Sequence, residues 1–156
     1  MIIRKLAVAG ALALALATLS GCSDDTQTSQ TAQSSSTPVI GLVQLVEHPA
    51  LDAANRGIVD AVKARGLTVE FDQQNAQADQ SNLGNIAQRF VSQKYPLIFA
   101  IATPAAQTMA NATDKTPIVA TAVTNFEIAK LVKSNDKPGT NVTGTSDLNP
   151  VAEQVK

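Results

Sequence analysis

The stretch PVIGLVQLVEHPALDAANRGIVDAVKARGLTVEFD, residues 38–72, changes its hydrophobic spacing twice. Residues 39–46 are nearly all aliphatic or β-branched, which is typical of a strand buried on both faces of a parallel sheet. Apolar residues then recur at helical spacing, and a glycine stands where the C-terminal cap belongs: Leu51, Ala54, Ile58, Ala61, Val62 and Gly66. Next, Leu67, Val69 and Phe71 alternate with polar residues, as in a half-exposed strand near a sheet edge. This order predicts a parallel βαβ unit.

Strands and helices continue to alternate along the rest of the chain. Asp79 is a predicted N-cap for a helix with the apolar stripe Leu83, Ile86, Ala87, Phe90 and Val91. The pattern then predicts a strand at 97–101, a helix from Thr103 and Pro104 to about residue 113, a strand at 117–123, a helix at 126–133 and a strand at 141–145. The predicted fold is α/β: a three-layer, open parallel sheet covered on both faces.

The first residues have the order of a secretory signal. Arg4 and Lys5 form a positive n-region, residues 6–19 are apolar, and small residues precede Cys22. The apolar run is shorter than the roughly 20 residues that span a bilayer. The sequence Leu-Ser-Gly-Cys that ends at Cys22 resembles the lipobox of bacterial lipoproteins, in which the cysteine receives a diacylglycerol. We therefore expect a lipoprotein signal peptide at residues 1–21 and lipidation of Cys22. An ordinary cleaved signal is the alternative.

Residues 22–37 form a predicted flexible tether, because Ser, Thr, Gln and Asp offer too little apolar surface to offset the entropy of ordering. The folded part is expected to begin near Pro38 and to hold one hydrophobic core. A single cysteine excludes a disulfide within this chain. The net charge is −1, and Lys and Arg do not cluster beyond the n-region, so we expect no nucleic-acid partner.

Three loops decide the function, because ligands of such sheets bind beyond the carboxyl ends of the strands. These loops are residues 44–50, 102–106 and 122–126. The first loop lacks the glycines of a dinucleotide site or a P-loop, and His48 has no recognisable partner for metal binding or catalysis. We expect no catalytic residue, no metal and no cofactor. An enzyme of flavodoxin-like architecture is the competing class, which these loops disfavour.

The polar residues of these loops have both a structural and a functional interpretation. Glu47 is an exposed carboxylate or the partner of a ligand's ammonium group, and His48 is a turn residue or lines a ligand. Thr103 caps a helix whose first N–H groups, followed by small residues, also suit a carboxylate. Thr124 and Asn125 bond a ligand or cap the helix that follows. The residues alone leave these alternatives open.

Four stretches resemble the substrate-binding lipoproteins of ABC importers in the group associated with tryptophan and tyrosine uptake: "IGLVQLVEHPALDAANRGIVDAV", "AQADQSNLGNIAQRFVSQKYPLIFAIATPAAQTMANAT", "PIVATAVT" and "KPGTNVTGTSDLNPVAEQ". The resemblance implies a protein that binds an aromatic amino acid, with ABC permease subunits as partners and no enzymatic activity. It implies an extracytoplasmic location, anchored to the cell membrane by lipid. The implied ligand-binding residues are Gln44, Glu47, His48, Thr103, Pro104, Ala105, Thr124 and Asn125. Related sequences tend to have Thr-Asp-Pro in the last loop. This chain has Asn125 in place of the aspartate, so the loop lacks that carboxylate.

The resemblance also implies two lobes, joined by a hinge and closing on the solute, in a type I periplasmic-binding-protein-like fold. Residues 38–145 are then the first ligand-binding lobe, and residues 146–156 are the hinge and the start of a second lobe. The chain is expected to be truncated, since two lobes need roughly twice this folded length. A lipid-anchored ligand sensor without transport has the same lobe and is the alternative function.

Overall fold

The computed structural model describes residues 37–149; the predicted signal peptide, residues 22–36 of the predicted tether and residues 150–156 lie outside that range. Its described part contains five strands and three α-helices. In chain order they are β1 (Val39–Gln44), α1 (Pro49–Ala64), β2 (Glu70–Asn75), α2 (Gln80–Ser92), β3 (Ile98–Ile101), α3 (Thr103–Ala112), β4 (Ile118–Val123) and β5 (Val142–Ser146). None of these three helices has both the length and the hydropathy needed to span a membrane.

All five strands lie parallel in one sheet with the order β2-β1-β3-β4-β5. β1 pairs with β2 on one side and β3 on the other, and it is buried after its first residue, as its apolar run predicts. β2 is a half-exposed edge strand, as predicted, although only Phe71 of the alternating apolar residues lies in it. The predicted α/β fold class is confirmed. The carboxyl ends of the five strands share one edge of the sheet.

The strand order places helices on both faces of the sheet. The chain passes from β1 to β2 in one direction and from β2 through β3 to β4 in the other. Right-handed crossovers therefore put α1 on one face and α2 and α3 on the opposite face. The main hydrophobic core lies on the α2 and α3 side and includes Val43, Ile98 and Met109. α2 buries most of its predicted apolar stripe, Leu83, Ile86, Ala87 and Phe90, whereas α1 has no fully buried residue.

Local signals end α1 and begin α2 where the sequence predicts. Asp79 accepts a hydrogen bond from the Asn82 N–H at 2.7 Å and caps α2. Gly66 follows α1 with a φ of 70°, the left-handed conformation expected of a glycine after a helix. The Leu67 N–H still reaches back to the Val62 carbonyl at 3.4 Å. Residue 67 therefore belongs to the helix end, and β2 begins at Glu70 rather than at the predicted Leu67.

The helix predicted at residues 126–133 is absent, and a short helical turn takes its place. The Leu131 N–H reaches back to the Phe126 carbonyl at 2.9 Å, and the Lys130 N–H to the Glu127 carbonyl at 2.9 Å. Lys130 has a φ of 58°. This pair of bonds around a left-handed residue is a Schellman motif, which terminates a helix. The prediction was wrong because the apolar spacing continues past the residue at which the backbone turns away.

Candidate functional site

The three loops chosen from the sequence lie side by side at the carboxyl edge of the sheet. The Leu45 N–H donates to the Ile101 carbonyl at 3.3 Å, and the Ala102 N–H donates to the Thr121 carbonyl at 2.9 Å. The strand register pairs Gln44 with Ile101, and Ile101 with Thr121. The predicted ligand-binding residues are therefore brought to one continuous edge formed by β1, β3 and β4.

Gln44 ends β1 with its side chain turned into the protein. It is 3% exposed. Its amide nitrogen donates to the Val46 carbonyl at 2.8 Å and to the Asp52 carboxylate at 2.6 Å. Its amide oxygen accepts a hydrogen bond from the Asn55 side chain at 3.1 Å. Gln44, Asp52 and Asn55 are referred to below as the Gln44 network, and they join the end of β1 to the first turns of α1.

Glu47 and His48 are exposed on the loop between β1 and α1. His48 is the N-cap of α1, and its Nδ1 atom accepts a hydrogen bond from the Ala50 N–H at 3.2 Å. An accepting Nδ1 atom selects the neutral tautomer that carries its proton on Nε2. His48 therefore has the turn role that was one of its two alternatives. Its Nε2–H and the Glu47 carboxylate lie on the same loop, where a ligand can reach them.

α3 begins without a side-chain cap, so the interpretation of Thr103 as the cap of this helix, one of its two alternatives, does not hold. The N-cap is Ala102, whose methyl group cannot accept a hydrogen bond, and the helix starts at Thr103, just before Pro104. The Ala106 N–H donates to the Ala102 carbonyl at 3.0 Å, so the first turn opens one residue earlier than the Thr-Pro pair predicts. Among residues 37–149, no side chain caps this end of α3. Its first N–H groups are therefore available to an anion.

Thr124 and Asn125 follow the end of β4. Thr124 is exposed, and its carbonyl accepts a hydrogen bond from the Ser146 hydroxyl at 2.7 Å. The Asn125 side-chain oxygen accepts a hydrogen bond from the Ile128 N–H at 2.9 Å and so caps the helical turn after β4. That bond uses the amide oxygen alone. The Asn125 NH₂ group can still donate to a ligand.

Backbone strain concentrates at this same edge. Ala102 has a φ of 87° and a ψ of 151°, a region that is essentially restricted to glycine. Among residues 37–149, three more of the six non-glycine residues with positive φ lie near the carboxyl ends of strands: Gln77 and Ala78 follow β2, and Ala122 is the second-last residue of β4. Ala122 lies where the register between β4 and β5 shifts, as at a β-bulge. Strained residues cost about 1–3 kcal/mol each and are concentrated at ligand sites, so their position supports a binding role for this edge.

The edge presents groups that suit a small zwitterion. The N–H groups that begin α3 suit a carboxylate, and the exposed Glu47 carboxylate suits an ammonium group. The cavity of about 340 Å³ beside α3 is lined by only one of the predicted residues, Pro104. The other predicted residues lie along an open edge instead. In the part of the chain that the structure describes, no three His, Cys, Asp or Glu side chains are grouped to hold a metal ion.

Sequence reasoning missed four residues that the fold brings to this edge or ties to it: Asp52, Asn55, Ala102 and Ser146. Asp52 and Asn55 are three residues apart on a predicted helix, and this spacing places them on one helix face. That spacing was a usable signal for the Gln44 network. Ala102 offers no such signal, because alanine ordinarily avoids positive φ.

Comparison with known proteins gives the family. The family model described as ABC transporter substrate binding protein matches residues 39–156. The tyrosine-binding protein of Clostridioides difficile (strain R20291) is 44% identical over 154 residues, an alignment that covers 93% of this chain and 44% of the relative.

Solved structures with a similar fold and a related sequence include the following two. One is the ligand-free, open structure of a substrate-binding protein with adhesive properties from Clostridium difficile, with 49% identity and a TM-score of 0.73. The match covers 75% of this chain and 41% of that protein's chain. The other is an ABC domain in complex with L-Trp from Streptococcus pneumonia, with 40% identity, a TM-score of 0.73, and coverage of 76% of this chain and 41% of that one.

These relatives are named for binding rather than for catalysis, and this chain spans less than half of the length of each. The resemblance found in the sequence is confirmed by the match over residues 39–156 and by these identities. The chain belongs to the ABC transporter substrate-binding protein family.

Proposed function

We propose that this chain forms one lobe of a solute-binding lipoprotein that captures an aromatic amino acid for an ABC importer. Family membership supports the coarser statement, a substrate-binding protein of an ABC transporter, and proteins of that kind work outside the cytoplasm. The observation that carries the assignment of a carboxylate-bearing solute is the uncapped start of α3 at the carboxyl edge. Relatives at 44% and 40% identity are a tyrosine-binding protein and an ABC domain in complex with L-Trp.

In this proposal the two charged groups of the amino acid bind different loops. Its carboxylate accepts hydrogen bonds from the N–H groups of Thr103 and Ala105, and the helix dipole of α3 adds to their attraction. Pro104 has no N–H, but it fixes the backbone between those two donors. The ammonium group pairs with Glu47. His48, Thr124 and Asn125 line the site and supply polar contacts through Nε2, the hydroxyl and the NH₂ group.

The proposed lobe is one wall of a cleft. Residues 38–145 form the lobe, and residues 146–156 form the hinge that leads to a second lobe. Small-molecule sites bury most of the ligand surface, and the open edge described above provides one side only. The second lobe supplies the opposite wall in this proposal, and closure of the two lobes encloses the aromatic ring.

The solute assignment is tested by calorimetry with the protein extended to the length of its relatives. L-Tryptophan and L-tyrosine are expected to bind, and L-leucine is expected to bind at least about tenfold more weakly. Tryptamine lacks the carboxylate and indole-3-propionate lacks the ammonium group, so each is expected to lose about tenfold or more in affinity, equal to one ionic contact. Tight binding of tryptamine would contradict the role of α3, and the absence of binding by every aromatic amino acid would contradict the proposed solute.

The proposed membrane anchor is Cys22, with residues 1–21 as signal peptide and residues 22–37 as tether. A diacylglycerol provides two acyl chains, which is the number that stable anchoring requires. Replacing Cys22 with alanine is expected to abolish labelling by a fatty-acid analogue and to release the processed protein from membranes. Unchanged labelling of Cys22→Ala would reject the anchor.

The proposed partners are the permease subunits of an ABC importer. Uptake of labelled L-tryptophan or L-tyrosine by cells that lack this protein is expected to fall and to recover when it is restored. A protein that binds the amino acid but leaves uptake unchanged would instead be a ligand sensor, the alternative that the same lobe permits.

A further inference from the structure

Gln44 is the only buried polar or charged residue within residues 37–149. A primary amide removed from water is unfavourable unless its donors and acceptor are all bonded. Both N–H donors of Gln44 and its oxygen have partners in the lobe. Gln44 ends a strand whose other inward-facing residues are apolar. Its buried side chain therefore depends on these specific hydrogen bonds.

These contacts reach two neighbouring parts of the lobe. The side chain bonds the loop through the Val46 carbonyl and bonds α1 through Asp52 and Asn55. The backbone of the same residue is also engaged, because the Gln44 carbonyl accepts a hydrogen bond from the Ala76 N–H at 2.9 Å. Residue 44 thus links the end of β1 to the loop after it, to α1 and to the loop after β2.

The loop held in this way carries Glu47 and His48. His48 begins α1, and the first helical hydrogen bond runs from the Asp52 N–H to the His48 carbonyl at 2.8 Å. The Asp52 carboxylate therefore accepts a hydrogen bond from the Gln44 amide, while the Asp52 N–H donates to the His48 carbonyl. Loss of the Gln44 amide would free the loop and the first turn of α1 together.

We propose that Gln44 is a positioning residue, which holds Glu47 and His48 in place through the Gln44 network and does not itself contact the solute. The part of this statement that concerns a solute rests on the proposed function. Both Gln44 N–H groups are already donated within the lobe, so a solute can accept them only by breaking the bond to Val46 or Asp52. The exposed side chains that the loop presents are those of Glu47 and His48.

The test uses His48 as a reporter, because it is the only histidine of this chain. Its imidazole gives a single set of nitrogen resonances, and these distinguish the tautomer bonded at Nδ1 from a free ring. Gln44→Met keeps the size of the side chain and removes its hydrogen bonds. In this variant of the 156-residue chain, the His48 resonances are expected to move to free-imidazole positions. The amides of Ala50 and Asp52, which donate to His48, are expected to exchange about tenfold faster, as for one lost hydrogen bond, while those of Phe90 and Ile98 keep their protection.

A rescue pair tests whether the hydrogen bond, rather than the volume of the side chain, does the positioning. Gln44→Glu sets a second carboxylate against Asp52 and is expected to free the loop. Adding Asp52→Asn gives residue 52 an NH₂ group that can donate to the carboxylate at position 44. The hydrogen bond between the two residues is then restored with its direction reversed. The His48 resonances of this double variant are expected to return part of the way to those of the unaltered chain, because the pairing between residues 44 and 52 is restored while the Val46 carbonyl still lacks its donor. The absence of any recovery would overturn the role of the Gln44–Asp52 bond.

Solute affinity separates positioning from direct contact. In the protein extended to the length of its relatives, Gln44→Met is expected to weaken L-tryptophan binding about tenfold together with the change at His48. A control, Asp72→Asn, removes hydrogen bonds on the opposite face and is expected to lower stability without changing His48 or the affinity. Unchanged His48 resonances in Gln44→Met would overturn the proposal, whether or not the affinity falls. If the unaltered protein binds no amino acid, the proposed function fails, and the His48 resonances still decide the role of Gln44.

Discussion

The ring of Phe90 fills the space that a side chain on Gly41 would need. A Cβ atom on Gly41 would lie 2.7 Å from Cδ2 and 2.8 Å from Cε2 of that ring, closer than non-bonded carbon atoms approach. Gly41 lies in β1, between β2 and β3, and Phe90 is completely buried on α2. The close approach of α2 to the centre of the sheet therefore depends on the missing side chain of one residue.

Gly41→Ala is expected to lower the free energy of unfolding by about 1–3 kcal/mol, because a methyl group inserted into a packed core forces its neighbours to move. Urea denaturation measures the change. Gly57→Ala is the matched control, since a Cβ there has no atom within 4 Å and the residue lies on the exposed side of α1. The control is expected to raise the free energy of unfolding by about 0.5–1 kcal/mol. Changes of the same sign in both variants would contradict the packing argument.

Asp72 is expected to make stability depend on pH in the acid range. Burial raises the pKa of Asp72, but hydrogen bonds from Tyr95 and Gln74 and the charge of Arg89 outweigh burial and leave the pKa below its usual value of 3.8. A depressed pKa in the folded state means that this contribution to stability is complete above the unfolded pKa, about 4. It is lost as the pH falls through the lower, folded pKa.

The measurement is urea denaturation between pH 7 and pH 2 of the unaltered protein and of Asp72→Asn. The Arg89 guanidinium lies 2.8 Å from Asp72, and the Tyr95 hydroxyl donates to the same carboxylate oxygen at 2.7 Å. Asparagine cannot keep the ion pair, so the variant is expected to be less stable at pH 7 and to lose less stability on acidification. Identical slopes below pH 4 would show that Asp72 does not contribute.

Ala102→Gly is expected to stabilise the lobe, which is unusual for a glycine substitution. The strain of alanine at this φ and ψ costs about 1–3 kcal/mol, and the extra freedom of glycine in the unfolded chain costs about 0.5–1 kcal/mol. The expected net gain is about 1 kcal/mol, measured as a higher Tm. Ala105→Gly, inside the same helix, is the control and is expected to lower stability by about 1 kcal/mol. Destabilisation by both would mean that Ala102 is not strained.

Thr103→Asp tests the anion site at the start of α3. The new carboxylate competes for the free N–H groups and repels the carboxylate of the solute, so affinity for L-tryptophan is expected to fall at least about tenfold. Helical circular dichroism is expected to stay the same. Asn111→Asp adds the same charge at the other, exposed end of α3 and is expected to keep the affinity. Affinity within about twofold of the unaltered protein in Thr103→Asp would leave this helix end without a role in binding.

The lobe alone is expected to bind its solute poorly. One wall leaves a face of the aromatic ring in water, and each 1.4 kcal/mol lost weakens binding about tenfold. The chain contains no tryptophan, so the fluorescence of added L-tryptophan reports directly on binding. Titration with this chain is expected to give little blue shift or change in anisotropy, whereas the extended protein gives both. Micromolar binding by this chain would contradict the single-wall interpretation.

Hydrophobic spacing was sufficient to predict the sheet and most of its strands. Strands buried on both faces, such as β1, leave continuous apolar runs, and Gly66 signals a helix end by its residue type. Lys130 also takes a left-handed conformation, but a lysine carries no such signal. The helix predicted across residues 126–133 failed at that residue, because what ends it is a backbone conformation rather than a change in polarity.

The location of the site was predictable from the sequence, but the hydrogen bonds between its residues were not. The rule that ligands bind beyond the carboxyl ends of parallel strands selected the loops. The partners of Gln44 lie 8 and 11 residues further along the chain, and only the packing of α1 brings them together. The start of α3 was not predictable, because its N-cap residue, Ala102, takes a strained backbone conformation that alanine ordinarily avoids.

The two edge strands differ in their protection against pairing with another chain. β2 carries the exposed Glu70, and a charged residue on an edge discourages the addition of a foreign strand. β5 reads Val-Thr-Gly-Thr-Ser, has no charge, and is exposed after its first residue. Aggregation of this lobe by strand addition would therefore begin at β5, and a lysine in place of Thr143 would protect that edge as Glu70 protects the other.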